Sequence, residues 1–262
     1  MKKILAFAMT AMMALSMVGC GNSKSSADSD LAYVKSNGKL VVGITDFAPM
    51  DYQDANGNWI GFDADMAAEF AKSLGVEVEF VEIDWDNKVM ELDGKTIDCV
   101  WNGMTLTEEV KSAMNCTNAY CNNAQVVVVK KDVADQYNTK ESLASLRFAC
   151  EAGSAGEAEV TALNLECTPV TTQADALMEV AAGTSDAAAI DALMAAAMVG
   201  DNTGYADLTY TVSLNSEEYG VGFRKNSDLT QALNDFFKKS YSDGTMKTIA
   251  EKYGVQAALI EQ

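Results

Sequence analysis

The stretch GFDADMAAEFAKSLGVEVEFVEI, residues 61–83, joins a helix pattern directly to a strand pattern. In its first half, apolar residues recur three and four positions apart, which places one apolar stripe on a helix. Asp63 stands where it can cap that helix, and Gly75 stands where a glycine ends one. From residue 76 onward, apolar and acidic residues alternate, as in a strand with one buried face. We therefore predict a helix over 61–75 followed by a strand over 76–83.

The same alternation continues on both sides of this stretch. Residues 40–44 are a short apolar run typical of a buried strand. Downstream, residues 86–92 have a helix pattern and residues 97–101 another strand pattern. A β-α-β-α-β order predicts an α/β fold with a largely parallel sheet and helices on both of its faces.

A second series of the same kind follows. Its predicted strands are 125–129, 147–150, 167–170 and 187–190, and its predicted helices are about 153–163, 174–182 and 191–198. A late strand at 219–223 and helices at 229–241 and 245–253 complete the chain. Two α/β units predict a cleft between them, and ligands of open α/β sheets bind beyond the carboxyl ends of the strands.

The composition excludes several classes of function. The chain has 38 acidic and 19 basic side chains, a formal net charge of −19, and no histidine. Because nucleic acids are bound by basic surfaces, we predict no nucleic-acid partner. Without histidine, neither His-based catalysis nor a His-ligated metal site is possible. We predict no metal and no cofactor.

The N-terminus has the pattern of an export signal. Lys2 and Lys3 precede an apolar run, residues 4–18, that is too short to span a bilayer comfortably. The run ends at Gly19 and Cys20, and Ser-rich residues follow. This junction resembles the bacterial lipoprotein cleavage box, which implies a signal peptide over 1–19, a lipid on Cys20 and a flexible tether over 20–36. The alternative is an ordinary signal peptide with an incidental cysteine. We expect an extracytoplasmic protein anchored by its lipid to the cell membrane.

Five further cysteines have no CxxC spacing, which argues against a zinc site. They are Cys99, Cys116, Cys121, Cys150 and Cys167. An exported protein can form disulfides, and an odd number leaves at least one thiol free. Cys150 and Cys167 lie in strand patterns of the same region, so they are the first candidate pair. Buried free cysteines, which pack as small apolar side chains, are the alternative.

Short motifs along nearly the whole mature chain occur in the order of one known family. They are GKLVVG (38–43), PMDY (49–52), GNWIGFD (57–63), WD (85–86), GKTID (94–98), NGMTLTEE (102–109), YGVGFRK (219–225) and SDGT (242–245). The chain resembles the polar amino-acid-binding family (family 3) of bacterial solute-binding proteins. The resemblance implies a two-lobed, type II periplasmic-binding-protein fold with lobe 1 over 37–121 and 213–262 and lobe 2 over 122–212. Two strands near 120–123 and 211–216 would cross between the lobes.

The resemblance also implies a function. The chain would capture an amino acid or an amino-acid-like small molecule by closing its lobes, and would deliver it as a monomer to an ABC permease. The implied ligand-binding residues fall in three groups: the aromatic wall, the carboxylate loops of the two lobes, and the acid that pairs with the ligand ammonium. In that order they are Phe47, Tyr52 and Trp85; Asn102, Gly103, Thr105, Ser154, Ala155 and Gly156; and Asp191.

One position departs from the family pattern. Val110 stands where the family usually has an arginine that binds the ligand carboxylate, and Lys111 follows it. The mature chain has only two arginines, Arg147 and Arg224. Three explanations stay open: Lys111 replaces the arginine, backbone amides and Thr105 suffice, or the ligand lacks a conventional α-carboxylate.

Two other functions are compatible with the same fold, because a fold does not determine a function. A dehydratase or lytic enzyme could use Glu151 and Asp191 as an acid/base pair. A receptor lobe for signalling would need a separate partner. We predict a binding protein rather than an enzyme, and we note that Glu151 beside the second loop favours a cationic group in the ligand.

Overall fold

The computed structural model describes residues 29–262. The predicted signal peptide, Cys20 and residues 20–28 of the predicted tether lie outside these residues. The rest of the predicted tether is not flexible chain but a helix, which the ion pair of Asp30 with Arg224 holds to the first sheet. The elements before the first crossing are α1 (Asp30–Asn37), β1 (Lys39–Ile44), β2 (Tyr52–Gln53), β3 (Trp59–Ile60), α2 (Phe62–Leu74), β4 (Glu77–Glu82), α3 (Lys88–Asp93), β5 (Cys99–Thr105), α4 (Glu108–Ala113), β6 (Asn115–Cys116) and β7 (Cys121–Asn123).

The chain then builds a second sheet and returns to the first. The second sheet and its helices comprise β8 (Gln125–Lys130), β9 (Phe148–Glu151), α5 (Ala155–Ala162), β10 (Cys167–Val170), α6 (Gln173–Ala182), β11 (Ala187–Asp191), α7 (Ala192–Met198) and β12 (Leu208–Ser213). The return comprises β13 (Glu217–Phe223), α8 (Leu229–Ser242) and α9 (Thr245–Tyr253). We call α1–β7 with β13–α9 the first lobe, and β8–β12 the second lobe.

Both sheets are mixed, with parallel strands at one side and antiparallel strands at the other. The first sheet has the order β4-β1-β5-β13-β6, with β7 also on β13. In it β4, β1 and β5 are parallel, whereas β13 is antiparallel to β5. The second sheet has the order β10-β9-β11-β8-β12. In it β10, β9 and β11 are parallel, whereas β8 is antiparallel to both of its neighbours, β11 and β12. The parallel strands are those of the predicted β-α-β units, and the antiparallel ones adjoin the crossings between lobes.

The N-terminal end of α2 differs from the prediction. Gly61, not Asp63, occupies the cap position, and no side chain caps the helix. Asp63 is buried inside the first turn, where its Oδ2 accepts hydrogen bonds from the Gly103 N–H and the Tyr120 hydroxyl, both at 2.7 Å. The predicted cap is therefore wrong, because this carboxylate fastens α2 to β5. The other end is confirmed, since Gly75 closes the helix with a φ of 77°.

A disulfide joins Cys150 on β9 to Cys167 on β10, as predicted. Both cysteines lie on neighbouring parallel strands of the second sheet. The other three cysteines in residues 29–262 are free thiols, and Cys99 and Cys121 are buried.

Loss of this disulfide is expected to lower stability by about 3 kcal/mol, because the bond closes a loop with a sequence separation of 17 residues. For a chain of this size that corresponds to a fall in Tm of roughly 6–12 °C. Thermal unfolding of the ligand-free protein with and without reductant measures it, and the Cys150→Ala, Cys167→Ala double variant should match the reduced protein. An unchanged Tm in reductant would contradict the expectation.

The two passages between the sheets are short. The chain leaves the first sheet at Asn123 and enters the second at Gln125, and it returns between Ser213 and Glu217. These passages lie at or beside the predicted crossings. Each lobe has buried apolar residues around its sheet, including Trp101 and Phe237 in the first and Val127 and Phe148 in the second. No helix within the described residues is long and apolar enough to cross a membrane.

Candidate ligand-binding site

A cavity of about 570 Å³ lies between the two lobes. Its walls come from α3, β5 and α4 on one side and from β9, α5, α6 and β11 on the other, so it opens at strand ends as predicted. A volume of this size suits a small organic ligand. The predicted site residues that line it are Trp85, Asn102, Gly103, Thr105, Ser154, Ala155 and Asp191.

Three predicted site residues lie outside the cavity wall. Phe47 is 2% exposed and packs edge-on to Tyr219, behind Gly103. Tyr52 on β2 packs against Tyr253. Gly156 is buried where α5 meets β11, and a Cβ there would lie 2.7 Å from the Ala189 carbonyl oxygen. Phe47 and Gly156 support the wall from behind, because neighbouring backbone fills the space in front of them, whereas Tyr52 contacts Tyr253 and not the cavity.

Asp191 ends β11 at the inner wall of the cavity. Its side chain makes no cap bond to α7 and points instead at side-chain donors. Oδ1 accepts from the side chains of Asn123 (2.5 Å) and Gln125 (3.0 Å) and from the Tyr219 hydroxyl (2.5 Å). Oδ2 accepts from Gln173 at 2.5 Å. This network fixes the position of the carboxylate between the two passages.

Glu217, at the start of β13, is a second acid at this point that sequence reasoning missed. Its Oε1 accepts from the Thr105 hydroxyl at 3.0 Å, Asn123 at 2.7 Å and Gln125 at 2.8 Å. Its Oε2 accepts from Asn215 at 2.8 Å. The Thr105 proton is therefore directed to the protein and away from the cavity. No local pattern marks Glu217, since the three partners of its Oε1, Thr105, Asn123 and Gln125, are distant in sequence.

The other predicted carboxylate donors of the first lobe are also engaged within the protein. The Asn102 amide donates to the Thr45 hydroxyl at 2.8 Å and accepts from the Thr45 N–H at 3.0 Å. The Gly103 N–H donates to Asp63 at 2.7 Å. Asn102, Gly103 and Thr105 all line the cavity, but the donor groups named here are already hydrogen-bonded to other parts of the protein.

Lys88 on α3 connects the lobes, and sequence reasoning missed this residue too. Its Nζ donates to the Trp85 carbonyl at 3.1 Å and to the Gly153 carbonyl of the second lobe at 3.0 Å. The same Nζ lies 4.8 Å from the centre of the Trp85 ring. Burial lowers the pKa of Lys88, whereas Glu151, Asp86 and Glu109 oppose that shift. The spacing of three from Trp85 indicated a shared helix face, but not the bond across the cleft.

No arginine of the described residues reaches the cavity. Val110 lines it and is 8% exposed. Lys111 is a half-exposed partner of Glu108 at 3.4 Å, so it does not replace the arginine here. Arg224 is buried against Asp30 and Asp98, and Arg147 pairs with Asp186 on the surface. Lys88 is the only basic residue of the described cavity wall.

Comparison with known proteins identifies the family. The family model of bacterial extracellular solute-binding proteins, family 3, matches residues 40–256. The chain belongs to this family. TcyJ of Escherichia coli (strain K12), named an L-cystine-binding protein, is 30% identical over 252 residues that cover 94% of both chains. A mutant of ArgBP from T. maritima matches with a TM-score of 0.81 at 34% identity, over 86% of this chain and 99% of that chain.

The precursor of an enzyme has the same fold. AncCDT-1, described as an ancestral amino acid-binding protein and a precursor of cyclohexadienyl dehydratase, matches with a TM-score of 0.79 at 31% identity, over 86% of this chain and 99% of that chain. The named relatives of this family 3 chain are solute-binding proteins and not enzymes, as predicted. The two-lobed type II fold is confirmed, and the chain has the substrate-binding role of its family.

A buried acid, Glu151, lies in the cavity wall at the end of β9. It is 3% exposed, and its Oε1 has no hydrogen-bond partner within residues 29–262. Burial and, to a smaller extent, the charge of Asp191 raise the pKa of Glu151 to about 8, and the charge of Lys88 opposes the shift. Burial and the charge of Glu217 raise the pKa of Asp191 to about 7, although its hydrogen bonds oppose this. The cavity thus holds two acids that resist ionisation.

Glu151→Gln is expected to stabilise the ligand-free protein at pH 8 and to have little effect near pH 4.5. The folded pKa of about 8 exceeds the ordinary 4.5, so the folded state binds the proton more tightly. Wild-type stability therefore falls as pH rises between these values, by up to about 1.4 kcal/mol per pH unit. We expect the variant to melt roughly 5 °C or more above wild type at pH 8.

Thermal unfolding of stripped protein at pH 5 and pH 8 measures this gap. Glu166→Gln, which removes an exposed carboxylate of the same lobe, is the matched control. A gap of equal size at both pH values would show that Glu151 is not held neutral by its surroundings.

Proposed function

We propose that the chain is the substrate-binding lipoprotein of an ABC importer, and that it captures an amino acid or an amino-acid-like small molecule by lobe closure. The observation that supports this most directly is the cavity between the lobes, with walls from both and a buried acid, Asp191, at its inner end. The relatives are named for binding L-cystine and for binding amino acids. A ligand ammonium that donates to the Asp191 carboxylate would make a charge-assisted hydrogen bond, which is stronger than a hydrogen bond between neutral groups.

The moving parts follow from the passages between the sheets. We assign the first lobe to one rigid body and the second lobe to the other, with hinges at 123–125 and 213–217, close to the predicted boundaries at 121 and 213. A ligand that touches both bodies stabilises the closed arrangement over the open one. Hinges of a few residues can absorb the backbone change while each lobe moves as a rigid unit. A monomer suffices for this mechanism, and the permease would recognise the closed form.

In the binding mode we propose, Asp191 holds the ligand ammonium and Trp85 packs on its apolar body. Ser154 and Ala155 at the start of α5, with Asn102, Gly103 and Thr105 on β5, shape the remaining wall. Phe47 and Gly156 act indirectly, by supporting the residues that touch the ligand.

Membrane attachment is proposed through a lipid on Cys20, with cleavage before it. Mass spectrometry of the N-terminal peptide from membranes of the expressing cell tests this. A diacylglyceryl thioether on Cys20 supports the anchor, and an unmodified cysteine or a cleavage site elsewhere refutes it.

A thermal-shift screen of the mature chain tests the proposed function. The protein is first unfolded and refolded to remove ligand acquired in the cell, and then screened against all amino acids, cystine, small peptides and simple amines. A ligand that binds only the folded state raises Tm, and saturation should raise it by several degrees. Failure of every compound to shift Tm in correctly refolded protein would contradict the proposal.

A dehydratase is the second candidate, because AncCDT-1 is a precursor of such an enzyme and because Glu151 and Asp191 share one cavity. Incubation of the protein with each ligand found in the screen, followed by NMR, separates the two functions. Unchanged ligand is expected for a binding protein, and a new product would establish an enzyme.

A further inference from the structure

Three donors of the first-lobe loop that the family pattern assigns to a ligand carboxylate are turned toward protein acceptors. Thr105 donates to Glu217, the Gly103 N–H to Asp63, and the Asn102 amide to Thr45. Val110 occupies the position of the missing arginine and presents an apolar surface to the cavity. A ligand carboxylate that used any of these three donors would have to break an existing hydrogen bond, and a buried charge with too few partners is strongly unfavourable.

The corresponding loop of the second lobe already holds an anion of the protein itself. The Glu157 carboxylate accepts from the Gly153 N–H at 2.8 Å, beside the start of α5. Ser154 is used as the cap of that helix, where its hydroxyl oxygen accepts from the Glu157 N–H at 3.1 Å. A second carboxylate at this point would lie close to the first and be repelled by it.

Acidic residues outnumber basic ones in the described cavity wall. That part of the wall contains one cation, Lys88, and five acids: Asp86, Glu109, Glu151, Glu157 and Asp191. Lys88 already donates to two backbone carbonyls. A zwitterion gains little from this field, whereas a net cation is attracted by it.

Glu151 provides a specific contact for such a cation. It is 3% exposed, it lines the cavity, and its Oε1 lacks a hydrogen-bond partner among the described residues. Asp191, on the neighbouring strand, adds a second negative charge that repels it. An ammonium or guanidinium group between the two would donate to the unpaired oxygen and neutralise the repulsion.

We propose that the ligand is a small organic cation, an amine or guanidine without a carboxylate, and that Glu151 is the residue that selects it. This inference rests on the proposed function and specifies the ligand class of the same cavity. The apolar members of the wall, which include Trp85, Val89, Met104 and Val110, would contact the carbon skeleton.

Matched pairs of compounds that differ only by the carboxylate test the inference. The pairs are histidine and histamine, arginine and agmatine, lysine and cadaverine, and phenylalanine and phenethylamine. Calorimetric titration of stripped protein at pH 7.5 gives the Kd of each. We expect the amine of at least one pair to bind about ten-fold or more tightly than its amino acid, a difference of about 1.4 kcal/mol.

Two variants make the test specific to the residues named. Glu151→Gln should weaken amine binding at least about 30-fold, because it removes the charge and keeps the shape. Val110→Arg should reverse the preference within the pair, since it supplies a guanidinium and adds a positive charge. Glu166→Gln is the control that should leave each Kd unchanged.

The outcomes separate this inference from the proposed function. Tighter binding of the amino acid in every pair would overturn the inference and leave the receptor function intact. Equal binding of an amine to wild type and to Glu151→Gln would also overturn the inference and leave the receptor function intact. If no compound of either class binds the refolded protein, the inference and the proposed function both fail.

Discussion

Gly153→Ala is expected to weaken ligand binding at least about 30-fold, or about 2 kcal/mol, while the ligand-free protein stays folded. Gly153 of the second lobe packs against Asp86 of the first. A Cβ on Gly153 would lie 2.8 Å from Asp86 Oδ1 and 2.9 Å from Asp86 Cα. Because one of these atoms is backbone, a side-chain rotation cannot remove the overlap. The lobes would have to separate, and the bond from Lys88 to the Gly153 carbonyl would lengthen with them.

The added methyl group also strains the backbone, since Gly153 has a φ of +69°. Gly38→Ala is the control for this backbone strain, because Gly38 has a φ of +71° and a Cβ there meets nothing within 4 Å. Gly38→Ala should lower the ligand-free Tm about as much as Gly153→Ala does, and leave the Kd unchanged. Titration calorimetry with the compound found in the screen measures both. Equal Kd values for the two variants would mean that closure does not bring Gly153 and Asp86 together.

Small-angle scattering gives an independent readout of the same substitution. Wild-type protein should contract on ligand binding, as expected for hinge closure. Gly153→Ala at saturating ligand should contract less, because the overlap at Asp86 holds the cleft partly open. Gly38→Ala should contract as wild type does.

Local patterns predicted most of the elements but few of the side-chain contacts between them. The end of α2 at Gly75 and the strand that follows depend on neighbouring residues, and both were predicted. The bond between Cys150 and Cys167 was predictable because the two residues lie on adjacent parallel strands of one unit. Asp63 was misassigned because its partners, Gly103 and Tyr120, are far away in sequence.

The candidate site shows the same limit. Seven predicted residues line the cavity, and most of them end a strand or begin a helix, where the fold places ligands. Lys88 and Glu217 were missed because their roles come from contacts across the cleft and at the hinge. Phe47 was assigned to the ligand wall by the family resemblance, but Gly103 lies in front of it. Only the folded chain determines which of two adjacent residues faces the cavity.

Asp191→Asn is expected to weaken ligand binding by two orders of magnitude or more. Removal of one member of a buried, hydrogen-bonded charge pair typically costs about 2–5 kcal/mol, since the other charge stays buried without its partner. The ligand-free protein should change much less. The new amide oxygen can keep the three donors Asn123, Gln125 and Tyr219, and the charge that faces Glu151 and Glu217 disappears.

The free-energy cost of Asp191→Asn to the ligand-free protein comes from one contact, and a second substitution can remove it. The new amide nitrogen faces Gln173 Nε2, which is also a donor, at a cost of about 1–3 kcal/mol. Gln173→Glu in the same chain replaces that donor with an acceptor, and its other oxygen can still accept from the Asp191 N–H as the Gln173 Oε1 does at 2.9 Å. The double variant therefore returns a carboxylate to the cavity wall, one side chain away from its original position.

We expect the Asp191→Asn, Gln173→Glu variant to recover at least about ten-fold of the lost affinity. Gln173→Glu alone should not bind more tightly than wild type, because it places a second acid beside Asp191 and raises the pKa of both. Calorimetric Kd values for the four proteins form a double-mutant cycle, which isolates the coupling between the two positions. Recovery would show that the cavity needs a carboxylate at its inner end for the ligand cation. Equal loss in the single and double variants would show that the ligand requires the Asp191 geometry itself, and unchanged binding in Asp191→Asn would remove Asp191 from the site.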